Sequence, residues 1–279
     1  MEKPNSFMQK CLLVALCGGV GLLLTSCSKL ESRDQLNQGV VAYKNSKYAD
    51  AVKHFKEAVE LDPTSQNAQL YLATSYYIQW VPGAENPDNV KNHDMAAQEF
   101  NDVLRKDPNN PLALAMMASM AYNAASSGTP DQKSKALEEA KSWNLKRIEA
   151  NAKDAEPYYY LGVIDWSKAY APIQTARVEL KMGSTEPGPI KDAKVRADMK
   201  EKYGAAIEDG IANLRKCLEL DKENEDAMTY INLLLRKKAD LEDTPDAAKA
   251  DIAQAEDYAN KAIDTKKIKA ARPAKKEES

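Results

Sequence analysis

The chain has 279 residues, with 39 Lys+Arg against 42 Asp+Glu, a formal charge of −3 and 43% hydrophobic residues. This is the composition of a folded chain, and its charge balance excludes a strong polyanion-binding signature and with it nucleic acid as the main partner. Thirteen Tyr beside three Trp and three Phe point to thin helical packing built on Ala, Leu, Val and Ile, with aromatic rings that keep one wet edge.

Lys3 and Lys10 precede an uncharged stretch from Cys11 to Leu24, which ends in Leu24-Thr25-Ser26-Cys27. As a helix that stretch reaches about 21 Å, short of the roughly 30 Å core of a bilayer, so it reads as an export signal rather than a permanent span. Leu-Thr-Ser-Cys resembles the lipobox of bacterial lipoproteins, in which the signal is cut before the cysteine and the cysteine is lipidated. The resemblance implies a signal peptide over 1–26 and lipidation at Cys27. With Ser28 rather than Asp next in the chain, it also implies an outer-membrane destination facing the periplasm. Of the remaining cysteines, Cys11 and Cys17 leave with the signal, so Cys217 has no intrachain disulfide partner and is expected in the core.

Residues 27–32 read as a lipidated linker, and from residue 33 to 265 the pattern is helical throughout. Apolar residues recur at three and four, and Pro, Asn, Asp and Gly cluster between the runs. From Asp34 to Pro63 the chain places Gly39, Tyr48, Ala51, Phe55, Ala58 and Pro63 where two antiparallel helices need small residues at their crossing, a large one beside it and a stop after it. This resembles the tetratricopeptide repeat of about 34 residues. Leu72, Ala73, Tyr76, Ala96, Phe100 and Pro108 continue the pattern in a second unit, with an insertion around Val81 to Asn92. A looser third unit runs from Pro111 to Ala152, with Arg147 where a small residue is expected. A fourth holds Leu161, Gly162 and Leu214 around a long insertion from Ser167 to Arg196, and a fifth uses Ala227, Ile231, Ala255 and Ala262. The expected fold is all-α, a right-handed α-solenoid of about five helix pairs with insertions, each pair burying the next. Residues 266–279, with Lys266, Lys267, Lys269, Arg272, Lys275 and Lys276, read as a disordered basic tail.

Catalytic signatures do not emerge. His54 and His93 lie in different repeats with no cysteine nearby, and the mature chain has no zinc, nucleophile-elbow or phosphate-loop pattern. The expectation is a non-enzyme without metal or cofactor. In tetratricopeptide proteins the first helix of each pair lines a concave groove. The resemblance places Tyr43, Tyr77, Tyr122 and Trp166 at one equivalent groove position of four successive units, with Arg236 in the fifth, and adds Leu36, Leu70 and Tyr159 at another. That aromatic ladder implies a groove for a protein or peptide partner. With Leu36, Leu70, Val40 and Thr74 where carboxylate-clamp cochaperones carry Lys and Asn, that specialisation is not expected. The expected role is a lipid-anchored scaffold, similar in plan to tetratricopeptide lipoproteins that assist β-barrel or pilus secretin assembly. The alternative is a periplasmic carrier with an apolar small molecule in its helical stack.

Overall fold

The computed structural model describes residues 27–183 and 186–272, and among them there is helix and turn but no strand. The expected signal peptide lies outside the described residues. The helices, in chain order, are α1 over 27–44, α2 Tyr48–Leu61, α3 Gln66–Tyr77, α4 Pro87–Lys106, α5 Pro111–Ala124, α6 Pro130–Ala150, α7 Glu156–Glu179, α8 Ala193–Leu220, α9 Glu225–Leu241 and α10 Pro245–Ala271. They pair as expected, and the fold class is an all-α solenoid of helix-pair repeats. The chain divides into one compact unit up to Ala113 and a second from Leu114 onward.

One turn recurs between repeats, at Asp62, Asp107, Asn151 and Asp221. Each of these closes the preceding helix with a backbone N–H bonded four residues back, to Ala58, Val103, Arg147 and Cys217. Its side-chain oxygen then accepts from the N–H two residues on, that of Thr64, Asn109, Lys153 or Glu223, at 3.1 to 3.3 Å. These are Asx turns. Ser65, Asn110 and Asn224 next accept from Ala68, Ala113 and Ala227 N–H groups, which caps the following helix. The third unit makes the same turn with Ala152 in place of proline, because the Asx oxygen sets the geometry.

Small residues lie where the helices cross. In the first unit a Cβ built on Gly39 in α1 would stand 2.5 Å from Phe55 Cδ1 and Cε1 in α2, and Phe55, Ala51 and Ala58 are fully buried. In the second unit Gly162 of α7 meets Leu214 of α8 in the same way, and Gly210 of α8 admits Leu234 of α9. Burying a side chain of the size of Phe55 or Leu214 contributes about 1.5–3 kcal/mol. Cys217 is in the second unit's core with Ile211, Leu214 and Ile231. Burial pushes its thiol up to about 11, so it stays protonated at neutral pH.

The structure departs from the sequence expectation in four places. Residues 27–32, read as a lipidated linker, are helical and belong to α1, and the buried Ser32 hydroxyl donates to Ala58 O of α2 at 2.8 Å. The stretch from Ser167 to Arg196 is mostly helix. Ala169, Ile173 and Ala176 keep the buried face of α7 going through Pro172, and Asp192 caps α8 through the Lys194 and Val195 N–H groups. Only residues 180–192 lie between the two helices. The repeat region extends past residue 265, since α10 runs to Ala271. Lys269 and Arg272 hold it there on Glu225 (2.5 Å) and Glu223 (2.7 Å) of the α8–α9 turn, and residues 273–279 lie outside the described residues. Arg147, finally, does not loosen the third unit. It is buried in α6, bonded to Glu156 at 2.5 Å, Asp154 at 3.2 Å and Asn144 at 3.3 Å, so its charge is matched where a small residue would otherwise pack.

Candidate peptide-binding groove

In the first unit, Tyr43 at the end of α1 sits edge-on to Tyr48 (5.3 Å between centroids) and to Tyr71 of α3 (6.5 Å). Burial pushes its phenol above the ordinary value, with Tyr48 and Tyr71 adding to the effect. Tyr77 lies 6.2 Å from Trp80, whose ring lies 5.1 Å from His93 of α4. Leu36 and Leu70 are half-buried. The segment between α3 and α4 is folded onto Asn89, which exchanges hydrogen bonds with Val81 N (2.6 Å) and Val81 O (2.9 Å) and donates to Ala84 O at 2.7 Å. His54 Nδ1 faces Gln35 Oε1 at 2.7 Å and His93 Nδ1 faces Asp94 at 3.0 Å. Among the described residues no group of His, Cys, Asp or Glu could hold a metal ion.

The second unit brings its expected site residues together. Tyr122 of α5 lies 6.2 Å from Tyr160 of α7, and Tyr160 lies 5.3 Å from Tyr159. Tyr159 meets Tyr230 of α9 edge-on at 5.8 Å, Tyr230 meets Trp166 at 5.4 Å, and Trp166 stacks on Tyr170 at 4.9 Å and 27°. The result is one row of touching rings from α5 across α7 to α9. Tyr122, Tyr159 and Trp166 were legible from the repeat register, whereas Tyr160, Tyr170 and Tyr230 were not. Trp166 and Tyr170 share a face at four-residue spacing, a signal the sequence did contain. Tyr230 reaches the row only because α9 packs against α7. The rings pack neighbouring repeats together, and all but Tyr170, which is exposed, are half-buried. Burial raises the Tyr159 and Tyr230 phenols, and Trp166 Nε1 is buried without a hydrogen-bond partner.

At the Trp166 end of this row a cavity of about 240 Å³ opens between α7, α9 and the 180–192 segment, walled by Trp166, Tyr170, Leu233, Arg236, Lys237 and Pro187. Its floor is held by Arg177, which is 2% exposed. Arg177 pairs with Asp240 and donates to the carbonyls of Gly183 (3.1 Å), Gly188 (3.3 Å) and Glu186. Lys237 donates to the other Asp240 oxygen at 2.6 Å, and Asp240 O accepts from the fully buried Ile190 at 2.9 Å. The inserted segment is thus pinned beside the ring row by the Arg177 guanidinium and by the buried Ile190, and its Pro187 and Gly188 form part of the cavity wall. Arg236, at the position equivalent to Trp166, is exposed at the rim, its Nε donating to Asn232 at 2.9 Å.

The helix pairs and their Asx turns repeat along the chain, glycines face large side chains at three of the helix crossings, and the first pair is matched by a family model. The match covers residues 33–65, and the family is the tetratricopeptide repeat. Among solved structures, the chain is similar to MamA from Desulfovibrio magneticus RS-1, with a TM-score of 0.53 at 14% identity over 86% of this chain and 98% of that one. It is similar to a further crystal structure of MamA, with a TM-score of 0.52 at 14% identity over 84% and 97%. At such identity the likeness shows the fold alone. None of the curated proteins compared with the sequence matches it. The tetratricopeptide fold suggests a protein-interaction role, with proteins or peptides as partners.

Proposed function

We propose that this protein is a non-catalytic scaffold, lipid-anchored through Cys27 at the periplasmic face of the outer membrane, that holds an extended segment of a partner protein along the rings of its inner helices. The reading rests on one observation above all, the row from Tyr122 to Tyr170 with its adjoining cavity. Half-buried aromatic rings offer large contact area with little side-chain entropy to lose, and they favour an elongated apolar ligand. The anchor rests on the Leu24-Thr25-Ser26-Cys27 sequence, together with a Cys27 side chain that is exposed. The Ser32 hydroxyl, five residues after Cys27, bonds to Ala58 O of α2, which would hold the repeats close to the acyl chains. Among the described residues no helix is long and apolar enough to cross a membrane, and in this reading two or more acyl chains hold the protein.

Two variants test the two halves of the proposal. Cys27→Ser is expected to move the protein from the membrane to the soluble periplasmic fraction, and retention in washed membranes would refute the anchor. Replacing Tyr77, Tyr122 and Trp166 together by Ala is expected to abolish partner capture in an in-cell crosslinking pull-down while helical circular dichroism stays close to that of the parent. Undiminished capture refutes the groove, and so does a collapse of helicity, which would make the rings purely structural.

A further inference from the structure

The cavity beside Trp166 carries more positive than negative charge. Arg177 and Lys237 both bond to the single carboxylate of Asp240, and the remaining contacts of Arg177 go to neutral carbonyls, which stabilise the guanidinium without cancelling its charge. Arg236 adds a third cation with no carboxylate partner among the described residues. The other acidic side chain at the wall, Glu186, is turned onto Lys191 (2.7 Å) and the Gly183 N–H (3.2 Å), so that pair cancels within the inserted segment. An excess of cations in a half-buried cavity attracts an anion more strongly than the same charges in open water. The chain as a whole is net negative at −3, so this positive spot is local. Beside the cations the lining is apolar, with Trp166, Tyr170, Leu233 and Pro187, and through Trp166 it continues into the ring row, which suits a chain ligand better than a free ion.

Resting on the groove reading above, we infer that the cavity is an acidic-residue pocket. It takes an aspartate or glutamate side chain of the bound segment, which Arg236 receives at the rim as a guanidinium–carboxylate pair, and a neighbouring aromatic or proline residue lies on Trp166 and Tyr170.

Selection of a phage-displayed library of random twelve-residue peptides on the detergent-solubilised full chain tests this directly. The recovered peptides are expected to carry Asp or Glu at one position at least threefold above the library frequency, beside an aromatic residue or proline. Arg236→Glu, an exposed substitution, is expected to erase that preference and favour Lys or Arg there. In fluorescence polarisation, Arg236→Glu and an Asp→Asn change in the strongest peptide are each expected to weaken binding about tenfold, with little further loss when combined. Peptides that bind in competition with one another and lose binding on Tyr122→Ala, yet show no acidic preference, overturn the pocket and leave the groove standing. Recovery of no peptide sensitive to Tyr122→Ala overturns both. Arg236-dependent binding of inorganic phosphate or of phosphatidylglycerol vesicles, with no acidic peptide selected, assigns the charge to a different ligand and overturns the proposal.

Discussion

Replacing Gly39 by Ala tests whether the close crossing of α1 and α2 is what the glycine serves. The new Cβ would stand 2.5 Å from Phe55 Cδ1 and Cε1 and 3.0 Å from Cζ, against 3.4–4 Å for an ordinary contact. Relief requires the ring to retreat by about 1 Å, a shift that interiors packed to crystal density resist. Phe55 is fully buried, and its ring already stacks on Tyr71 at 5.2 Å and 18°, so retreat presses on α3. Overpacking costs about 1–3 kcal/mol, while Gly→Ala inside a helix gains about 1 kcal/mol, so a net loss of about 1 kcal/mol is expected. Gly204→Ala in α8 is the control. Its Cβ meets only Lys200 Cγ, at 3.6 Å, so the helix-propensity gain of about 1 kcal/mol should appear undiminished. The assay is urea unfolding followed by circular dichroism. A Phe55→Leu partner variant, whose shorter side chain vacates the space, should recover about 0.5–1 kcal/mol of the Gly39→Ala loss. If Gly39→Ala stabilises as much as Gly204→Ala, or if the two sites do not couple, the crossing is not as tight as the contacts imply.

Asp165 of α7 is fully buried, with Lys141 Nζ 3.5 Å from one oxygen and no partner on the other. Burial pushes its carboxyl above the ordinary 3.8, so the folded chain holds a proton the unfolded one has released, and this group's contribution to stability falls as pH rises from about 4. Asp165→Asn is therefore expected to gain on the parent in melting temperature as pH rises above about 4, and a difference independent of pH would refute the desolvation account. Arg177→Met leaves Asp240 with Lys237 but strips the carbonyls of Gly183, Glu186 and Gly188 of their donor. We expect a loss of about 3–5 kcal/mol and faster tryptic cleavage at Lys181 and Lys191, with no rescue by Arg177→Lys because an ammonium lacks the planar fork. An unchanged cleavage rate would show that the segment is held by something else.

The helix pairs, their order and their crossings were legible in the sequence because each depends on neighbours within one repeat. Apolar spacing marks the buried face, glycine faces a large side chain across the pair, and Asp, Asn or Pro stops the helix. Tyr122, Tyr159 and Trp166 could be placed from the register for the same reason, and tertiary packing in the second unit joins them into one surface. The Asx turns were also present, as Asp or Asn three residues before Ser, Asn or Asp, but only their hydrogen bonds show that Ala152 does the work of a proline. What the tertiary structure alone decided depends on residues far apart in the chain. Pro172 was compatible with a break, yet the burial of Ile173 and Ala176 carries α7 through it. Arg147 breaks the small-residue pattern until Glu156 and Asp154 are seen to neutralise it. Tyr230 becomes part of the groove only through the contact of α9 with α7. The charge of Arg177 is matched by Asp240 of α9, which only the packing of α9 against α7 brings to it.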